Sequence, residues 1–163
     1  MINNDHPLLK KQRQTIPPTR IRLPSRGVFY KNGELAPHIN DGEIEIYPMT
    51  TQCDIIMRHV DSLLHGTAVE LVIKRCSQDV IAADKLLLKD VEYILSQLRL
   101  ISAGDILLVN IRCPFDEIDP PQDHEYRLSV KEFINKSTEF DQELLHLYTI
   151  TMDSGIVVNL KPV

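Results

Sequence analysis

Histidine has the widest chemical use among the side chains of this sequence, because imidazole serves as a general base or as a metal ligand. His59 and His65 fall on one predicted helix, but they are six residues apart and so lie on different faces. A helical metal pair needs the i, i+4 spacing. The sequence therefore predicts no histidine metal site. The six histidines stand at scattered positions, His6, His38, His59, His65, His124 and His146.

The serine and cysteine side chains that could act as nucleophiles also lack a sequence context that predicts catalysis. Ser25 lies between Pro24 and Arg26 and not in a Gly-x-Ser-x-Gly turn, so we interpret it as a turn hydroxyl. The cysteines lie far apart and form no Cys-x-x-Cys pair, which predicts neither a disulfide framework nor a zinc site and fits reduced thiols in a cytoplasmic setting. The six glycines are isolated at turn positions and form no phosphate-binding loop. The three cysteines are Cys53, Cys76 and Cys113.

An acidic cluster is the last candidate for chemistry. Asp116, Glu117 and Asp119 could hold a hard cation, but they are flanked by prolines and lack the glycine and the final glutamate of a calcium loop. A solvated loop explains them better. We therefore expect no catalytic residue, no metal and no cofactor.

Charge is distributed unevenly along the chain. Residues 1–26 carry six basic groups against Asp5, a balance of +5, whereas the remainder carries 12 basic and 22 acidic groups, a balance of −10. A basic arm on an acidic body favours docking on an acidic partner, on a copy of the same chain or on nucleic acid, and a solvated tail is the alternative. Nucleic acid is disfavoured because no aromatic residue precedes Phe29 and the acidic body repels phosphates.

The arm and the segment after it are the predicted partner-binding site. Polar residues and Pro7, Pro17 and Pro18 predict an extended arm over residues 1–20. A short strand, a bend at residues 24–27 and a second strand at residues 28–30 follow. The predicted partner-binding residues are Lys10, Lys11, Arg13, Arg20, Arg22, Leu23, Pro24, Ser25, Arg26, Gly27, Phe29 and Tyr30.

Alternating acidic and apolar residues predict a strand at residues 43–47, which we pair with residues 28–30. Pro48 ends it, and Thr50 or Thr51 can cap a helix running to about Leu64. Gly66 is placed to end that helix in the left-handed conformation. The apolar face of this first helix is predicted to be Ile55, Ile56, Val60, Leu63 and Leu64.

Two more helices are predicted. Val69, Val72, Ile73 and Cys76 repeat at three and four residues, so a second helix starts at about Thr67 and Cys76 is core filler. The stretch 81–89 is interpreted as a linker that fills the core. A third helix starts at Asp90 with an apolar face, and Gly104 ends it. The residues of that face are Val91, Ile94, Leu95, Leu98 and Ile101.

After Gly104 the pattern changes to that of strands. Residues 106–111 and 126–130 are predicted strands, 114–125 an exposed loop, and 131–136 is left open. Residues 147–152 and 156–160 flank the turn 153–155 and predict a hairpin. The expected class is α+β, with an arm (1–20), a β-hairpin plus helical domain (21–104) and a small β-rich subdomain (105–163). No stretch approaches the ~20 apolar residues of a membrane span, and we expect no signal peptide.

The order and spacing of several short motifs resemble the T4-like baseplate protein family, whose members are hub subunits of contractile phage tails. The resemblance covers about residues 21–113, and the distal hub subunit is the nearest likeness. Some relatives place a cysteine-ligated metal knuckle where this chain has Cys113-Pro114 and no second cysteine, so metal binding is not expected. The motifs are Leu23-Pro24-Ser25-Arg26-Gly27-Val28-Phe29-Tyr30, Pro48-Met49-Thr50-Thr51, Leu86-Leu87-Leu88-Lys89-Asp90 and Leu98-Arg99.

The resemblance implies a non-enzymatic component of the virion tail, assembled in the host cytoplasm, with the central hub and tape-measure proteins as partners. Copies of the chain in a symmetric ring are a further expectation, because an extended arm can wrap a neighbour. The terminal hairpin could also extend the sheet edge of a partner. A transient assembly chaperone and a nucleic-acid adaptor that uses the arm are the alternatives.

Overall fold

The computed structural model describes residues 16–112, 123–135, 148–152 and 154–160. Within these ranges helices combine with three separate two-stranded antiparallel ribbons, so the predicted α+β class is confirmed. The helices in these ranges are all too short or too polar to cross a membrane.

The first ribbon closes one side of the core. It pairs β1 (Thr19–Arg22) with β2 (Glu43–Ile46), and Ile21 lies opposite Ile44. Alternate side chains of a strand point to opposite faces, so Ile21, Ile44 and Ile46 all face inward and are buried. The outward positions carry arginines on β1 and glutamates on β2.

The predicted pairing of β2 with residues 28–30 is wrong. This stretch forms consecutive turns in which the N–H of Val28 donates to the carbonyl of Ser25 and the N–H of Tyr30 donates to the carbonyl of Gly27. These backbone donors are satisfied locally, so they are not available for a strand ladder. The strand opposite β2 is instead the short strand predicted to begin at Ile21, and it starts two residues earlier, at Thr19.

The predicted first helix is divided in two. Helix α1 (Thr51–Met57) and helix α2 (Val60–Leu64) are separated at His59, whose backbone is extended (φ −82°, ψ 105°). Helical hydrogen bonding resumes in α2, where the N–H of Leu63 donates to the carbonyl of His59. Helices of five to seven residues are marginal alone. Helix α1 is held by the packing of its buried Cys53, whereas α2 has no buried residue.

The break also changes which side chains reach the core. Helix α1 is anchored by Cys53, whose Sγ lies 3.8 Å from the Sγ of Cys76. Because the chain turns after Met57, the residues beyond the break no longer share a face with those before it. Most of the predicted apolar face is therefore wrong, since Ile55, Val60, Leu63 and Leu64 are exposed.

Helix α3 (Thr67–Cys76) confirms the second predicted helix. Gly66 precedes it in the left-handed conformation (φ 73°), as predicted for the end of the preceding helix. Val72 and Ile73 are fully buried, and Cys76 is only 2% exposed. The predicted role of Cys76 as a core residue is confirmed.

Helix α4 (Leu88–Ala103) is the longest helix of the described residues. It begins two residues before Asp90, where its start was predicted, after a 3₁₀ turn at Ala83–Lys85. Gly104 ends it with a positive φ of 82°, as predicted. Its buried stripe joins β1, β2, α1 and α3 in one core of Ile21, Leu23, Ile44, Ile46, Cys53, Val72, Ile73, Cys76, Val80, Ala83, Ile94 and Leu98.

The second ribbon follows α4. Strand β3 (Ile106–Arg112) pairs with β4 (Asp123–Ser129), and Leu107 lies opposite Leu128. The predicted loop 114–125 is wrong at residues 123–125, which belong to β4 because they continue the ladder opposite β3. The rest of that predicted loop and Cys113 lie outside the described residues.

Helix α5 (Val130–Asn135) begins directly after β4, so Val130 starts a helix and does not end the predicted strand. The Ser129 hydroxyl accepts the N–H of Glu132 at 3.2 Å, as an N-cap does. The Lys131 N–H donates to Asp105 at 2.8 Å. This bond, above all, lowers the pKa of Asp105 below its ordinary value. The base of the ribbon is thereby tied to α5.

The third ribbon confirms the predicted terminal hairpin. Strand β5 (Thr149–Thr151) pairs with β6 (Val157–Asn159), and Ile150 lies opposite Val158. Gly155 in the turn has a φ of 80°, which suits glycine.

Candidate partner-binding surface

The described basic residues at the base of the arm are paired with acids of the body. The Nε of Arg20 lies 3.0 Å from a carboxylate oxygen of Glu45 across the β1–β2 ladder. The Nη2 of Arg22 lies 2.7 Å from Glu43, and its Nε lies 3.5 Å from Asp41. Ion pairs this exposed contribute little stability. They do join the outward side chains of β1 to acidic residues on and beside β2.

The segment after β1 is buried and not displayed. Leu23 is fully buried, Pro24 is buried and Ser25 is 4% exposed. The N–H of Leu23 donates to the carbonyl of Gly42 at 3.0 Å, and the N–H of Arg26 returns to the carbonyl of Leu23 at 2.9 Å. These three predicted binding residues therefore make their described contacts inside the chain.

A buried carboxylate organises the turns. Asp90, in the first turn of α4, is 0% exposed and accepts the N–H of Ser25 at 3.0 Å and its hydroxyl at 2.5 Å. The hydroxyl of Tyr30 donates to the same carboxylate at 2.5 Å. Hydrogen bonds to a charged acceptor are about twice as strong as neutral ones. We call Ser25, Tyr30, Leu87 and Asp90 the Asp90 cluster.

The cluster also caps helix α4. Leu87 stands at the N-cap position and has no side-chain acceptor to offer, and its backbone N–H donates to the hydroxyl of Tyr30 at 3.0 Å. Burial, and then the Asp90 carboxylate, raise the pKa of Tyr30 well above its usual range, so the phenol stays protonated and donates. The Asp90 carboxylate itself lies at a helix N-terminus, where negative charge is favoured.

Two left-handed dipeptides cross at this point. Arg26 and Gly27 have φ values of 52° and 77°, and Asp41 and Gly42 have values of 54° and 66°. A Cβ built on Gly42 would lie 2.7 Å from the carbonyl carbon of Arg26. Only glycine fits there, because both the positive φ and the backbone contact exclude a side chain.

A shallow groove of about 420 Å³ lies beside these crossed turns. It is lined by Arg26, Gly27 and Tyr30 together with residues 31–33, 35–37, 39, 41 and 42. The structure thus brings three of the predicted partner-binding residues to one concave surface. Phe29 lies apart from them, edge to face with Tyr148 at a centroid distance of 5.4 Å. Lys10, Lys11 and Arg13 lie outside the described residues.

Sequence reasoning missed the Asp90 cluster, although one signal was present. Asp90 is spaced four residues from Ile94 and eight from Leu98, so it lies on the buried stripe of its helix. An acid on that stripe needs hydrogen-bond donors, because a buried unpaired charge is costly.

The β3–β4 ribbon exposes an apolar face. The register places Leu107, Val109 and Ile111 beside Leu128 and Tyr126 on one side, with His124 at the far end. Four of these apolar side chains are exposed: Leu107 by 39%, Ile111 by 49%, and Tyr126 and Leu128 by 51% each. The other side has polar residues and Ile106 and Leu108. We call Leu107, Val109, Ile111, Tyr126 and Leu128 the first apolar face.

The terminal ribbon has an apolar face of similar size. Backbone bonds between Met152 and Ile156 and between Leu160 and Tyr148 extend its ladder beyond β5 and β6. Because residues i and i+2 share a face, six apolar residues then lie together, and four of them are about half exposed. The other side carries Thr149, Thr151 and Val157. The second apolar face is Tyr148, Ile150, Met152, Ile156, Val158 and Leu160.

Comparison with protein families gives a match over most of the chain. The model of the family described as T4 bacteriophage base plate protein matches residues 37–162. The chain belongs to this family. The matched stretch holds the helices and both exposed ribbons, and it begins after the Leu23–Tyr30 segment on which part of the resemblance rested. Searches of curated proteins and of solved structures found no match. Membership gives this chain a structural role in the phage baseplate.

Proposed function

We propose that the chain is a structural component of the hub of a contractile phage tail baseplate, where it mediates assembly by protein–protein contacts at the tail tip. The observation that carries this proposal is the family match over residues 37–162. The hub position, the contacts at the tail tip and assembly in the host cytoplasm are part of the proposal.

The distribution of polar and apolar groups supports an assembly role. The Asp90 cluster uses its buried acid and hydroxyls to hold turns against a helix, so these groups are occupied by structural contacts. Among the described residues, no group of three or more His, Cys, Asp or Glu side chains is placed to hold a metal ion. The β3–β4 and β5–β6 ribbons each expose a row of large apolar side chains, a pattern typical of surfaces that bind other proteins. We propose that the chain has no enzymatic activity.

The proposed partners are other hub and tail proteins, in particular the central hub and the tape-measure protein. The arm is the proposed tether. Its basic residues Lys10, Lys11 and Arg13 would meet an acidic partner, and the groove beside Arg26 and Tyr30 would receive part of that partner.

Quantitative mass spectrometry of purified tails tests the proposal. A hub component is present at a fixed number of copies per tail. A transient chaperone is abundant in assembly intermediates and absent from finished tails, and that result would overturn the proposal. The matched control is another baseplate protein quantified in the same sample.

Truncation tests the tether. The deletion should remove residues 1–18 and spare Thr19, where β1 begins. We expect a folded chain that no longer enters baseplates. A full-length variant with Lys10, Lys11 and Arg13 changed to Gln separates the effect of charge from that of length. Normal incorporation of the truncated chain would contradict the tether.

A further inference from the structure

The two apolar faces are alike in size, and most of the large side chains of each are exposed, although Phe29 packs on Tyr148 of the second face. A two-stranded ribbon is marginally stable unless it gains strands or packs one face on another layer. The first and second apolar faces each contain four large side chains that are about 40–60% exposed. At roughly 200 Å² for a fully open large side chain, each face offers roughly 400 Å² of accessible surface.

We propose that these faces cover each other between two copies of the chain. The first apolar face of each copy packs on the second apolar face of the other, so that a two-fold axis relates two equal contacts. Each contact stacks two ribbons about 10 Å apart, as the layers of a sandwich stack. This inference goes beyond the proposed function, because it assigns a surface and a partner that baseplate membership does not specify.

Buried area favours this arrangement over simpler ones. One face packed on one other face removes roughly 800 Å² in total, which is the size of a crystal contact. Two reciprocal contacts remove roughly 1,600 Å², the standard size of a stable complex. A dimer that pairs like faces, first on first, would leave the second face of both copies exposed.

The two faces also suit one another chemically. The described side chains of the second apolar face are all apolar or aromatic, and those of the first are apolar apart from the hydroxyl of Tyr126 and His124 at the end. Neither face presents an acid or a lysine at its centre, so their contact buries no unpaired charge. The phenol tip of Tyr126 can remain at the rim in contact with water.

Sedimentation equilibrium of the full-length chain at micromolar concentration is the first test, and we expect a dimer. Ile111→Glu on the first face and Ile156→Glu on the second each raise the dissociation constant by about tenfold or more, because a charge enters an apolar contact. A monomeric wild-type chain, or a dimer that both variants leave unchanged, would overturn the proposal.

Matched controls come from the same ribbons. Leu108 (56% exposed) is on β3 and Val157 (56% exposed) is on β6, and each lies on the side opposite its apolar face. Leu108→Glu and Val157→Glu therefore leave the dimer unchanged. Circular dichroism establishes that all four variants stay folded, as expected for exposed positions. Equal loss of the dimer in the controls would contradict a face-to-face contact.

A mixing experiment decides which faces meet. Ile111→Glu and Ile156→Lys are each monomeric alone. Mixed together they form a heterodimer, because one contact brings the glutamate to the lysine and the other contact is wild type in both copies. If the mixture stays monomeric, the faces do not meet in this reciprocal way. Presence of the chain in tails would still stand in that case, so this failure is distinct from failure of the proposed function.

Discussion

The Asp90 cluster differs from the β3–β4 and β5–β6 ribbons in which side chains it buries and which it exposes. In the cluster, polar groups are buried and every described donor meets an acceptor, so a turn near the start of the chain is fixed to a helix 60 residues later. In the ribbons, apolar groups are arranged in regular rows and left open to solvent. The contrast indicates that one region maintains the fold, whereas the other is available for contacts outside the chain.

Among the proposed changes, Asp90→Ala is expected to lower the free energy of unfolding most. The change leaves the N–H and hydroxyl of Ser25 and the hydroxyl of Tyr30 without their buried acceptor, and removal of one partner from a buried charged network costs about 3–5 kcal/mol. Urea unfolding measures the loss. Glu92→Ala, an exposed acid on the same helix, should change the free energy of unfolding by less than about 0.5 kcal/mol. Equal effects of the two changes would contradict a structural role for the cluster.

Gly42→Ala tests the crossing of the two turns. The new Cβ meets the backbone of Arg26 at 2.7 Å and the residue keeps a φ of 66°, so we expect a loss of about 2–3 kcal/mol. Gly33→Ala is the control, because its φ is also positive but no atom lies within 4 Å of its Cβ. It should cost about 1 kcal/mol from backbone strain alone. The difference in thermal midpoint between the two variants isolates the steric contact.

Tyr30→Phe removes one hydroxyl from the cluster. Asp90 loses a donor and the Leu87 N–H loses its acceptor, for an expected cost of about 1–2 kcal/mol. Tyr126→Phe on the exposed first apolar face should cost less than about 0.5 kcal/mol. If urea unfolding showed the same loss of free energy of unfolding for both changes, the two regions would not differ in the way described.

The raised pKa of Tyr30 adds a dependence on pH. Above about pH 10, the ordinary value for tyrosine, the unfolded chain releases the phenolic proton while the folded chain retains it. The unfolded state is then favoured, so stability falls as pH rises through this window. The fall between about pH 10 and pH 11 should be shallower in Tyr30→Phe than in the wild type. Identical slopes would show that Tyr30 ionises equally in both states.

Asp105→Asn should have the smallest effect on stability. Asp105 is half-buried and its pKa is lowered chiefly by the Lys131 N–H, so the carboxylate form holds this contact. We expect faster amide exchange at Lys131 with no change in global unfolding. In the wild type the same loosening should occur as the pH falls through the lowered pKa of Asp105, which lies below the ordinary value of about 3.9, because protonation removes the charged acceptor. Unchanged exchange at Lys131 would show that this contact does not fix the ribbon base.

The sequence was most informative where a periodic apolar pattern ends at a glycine or a turn. Gly66 and Gly104 ended helices as predicted, and the residues flanking positions 153–155 formed a hairpin. The sequence was least informative about hydrogen-bond partners that lie far apart along the chain. The side chains that satisfy Asp90 lie 60 and 65 residues earlier, and no spacing rule connects them. The pairing of β2 was mispredicted because Arg26, which is not glycine, takes a positive φ and turns the chain back.

For the proposed binding surface, the pattern of the terminal hairpin predicted one ribbon, but not that four side chains of its apolar face are about half exposed. Exposure depends on what packs above a strand, which alternation alone cannot show. For Leu23, Pro24 and Ser25, predicted to bind a partner, the structure shows contacts inside the chain, and the partner-binding role stays a prediction.

A side-chain-resolution map of the assembled tail tip tests the central claim most directly. We predict that the chain is present, that the Asp90 cluster keeps the hydrogen bonds described above, and that protein covers both apolar faces. A tail tip that lacks the chain, or one in which both faces point to solvent, would contradict the account.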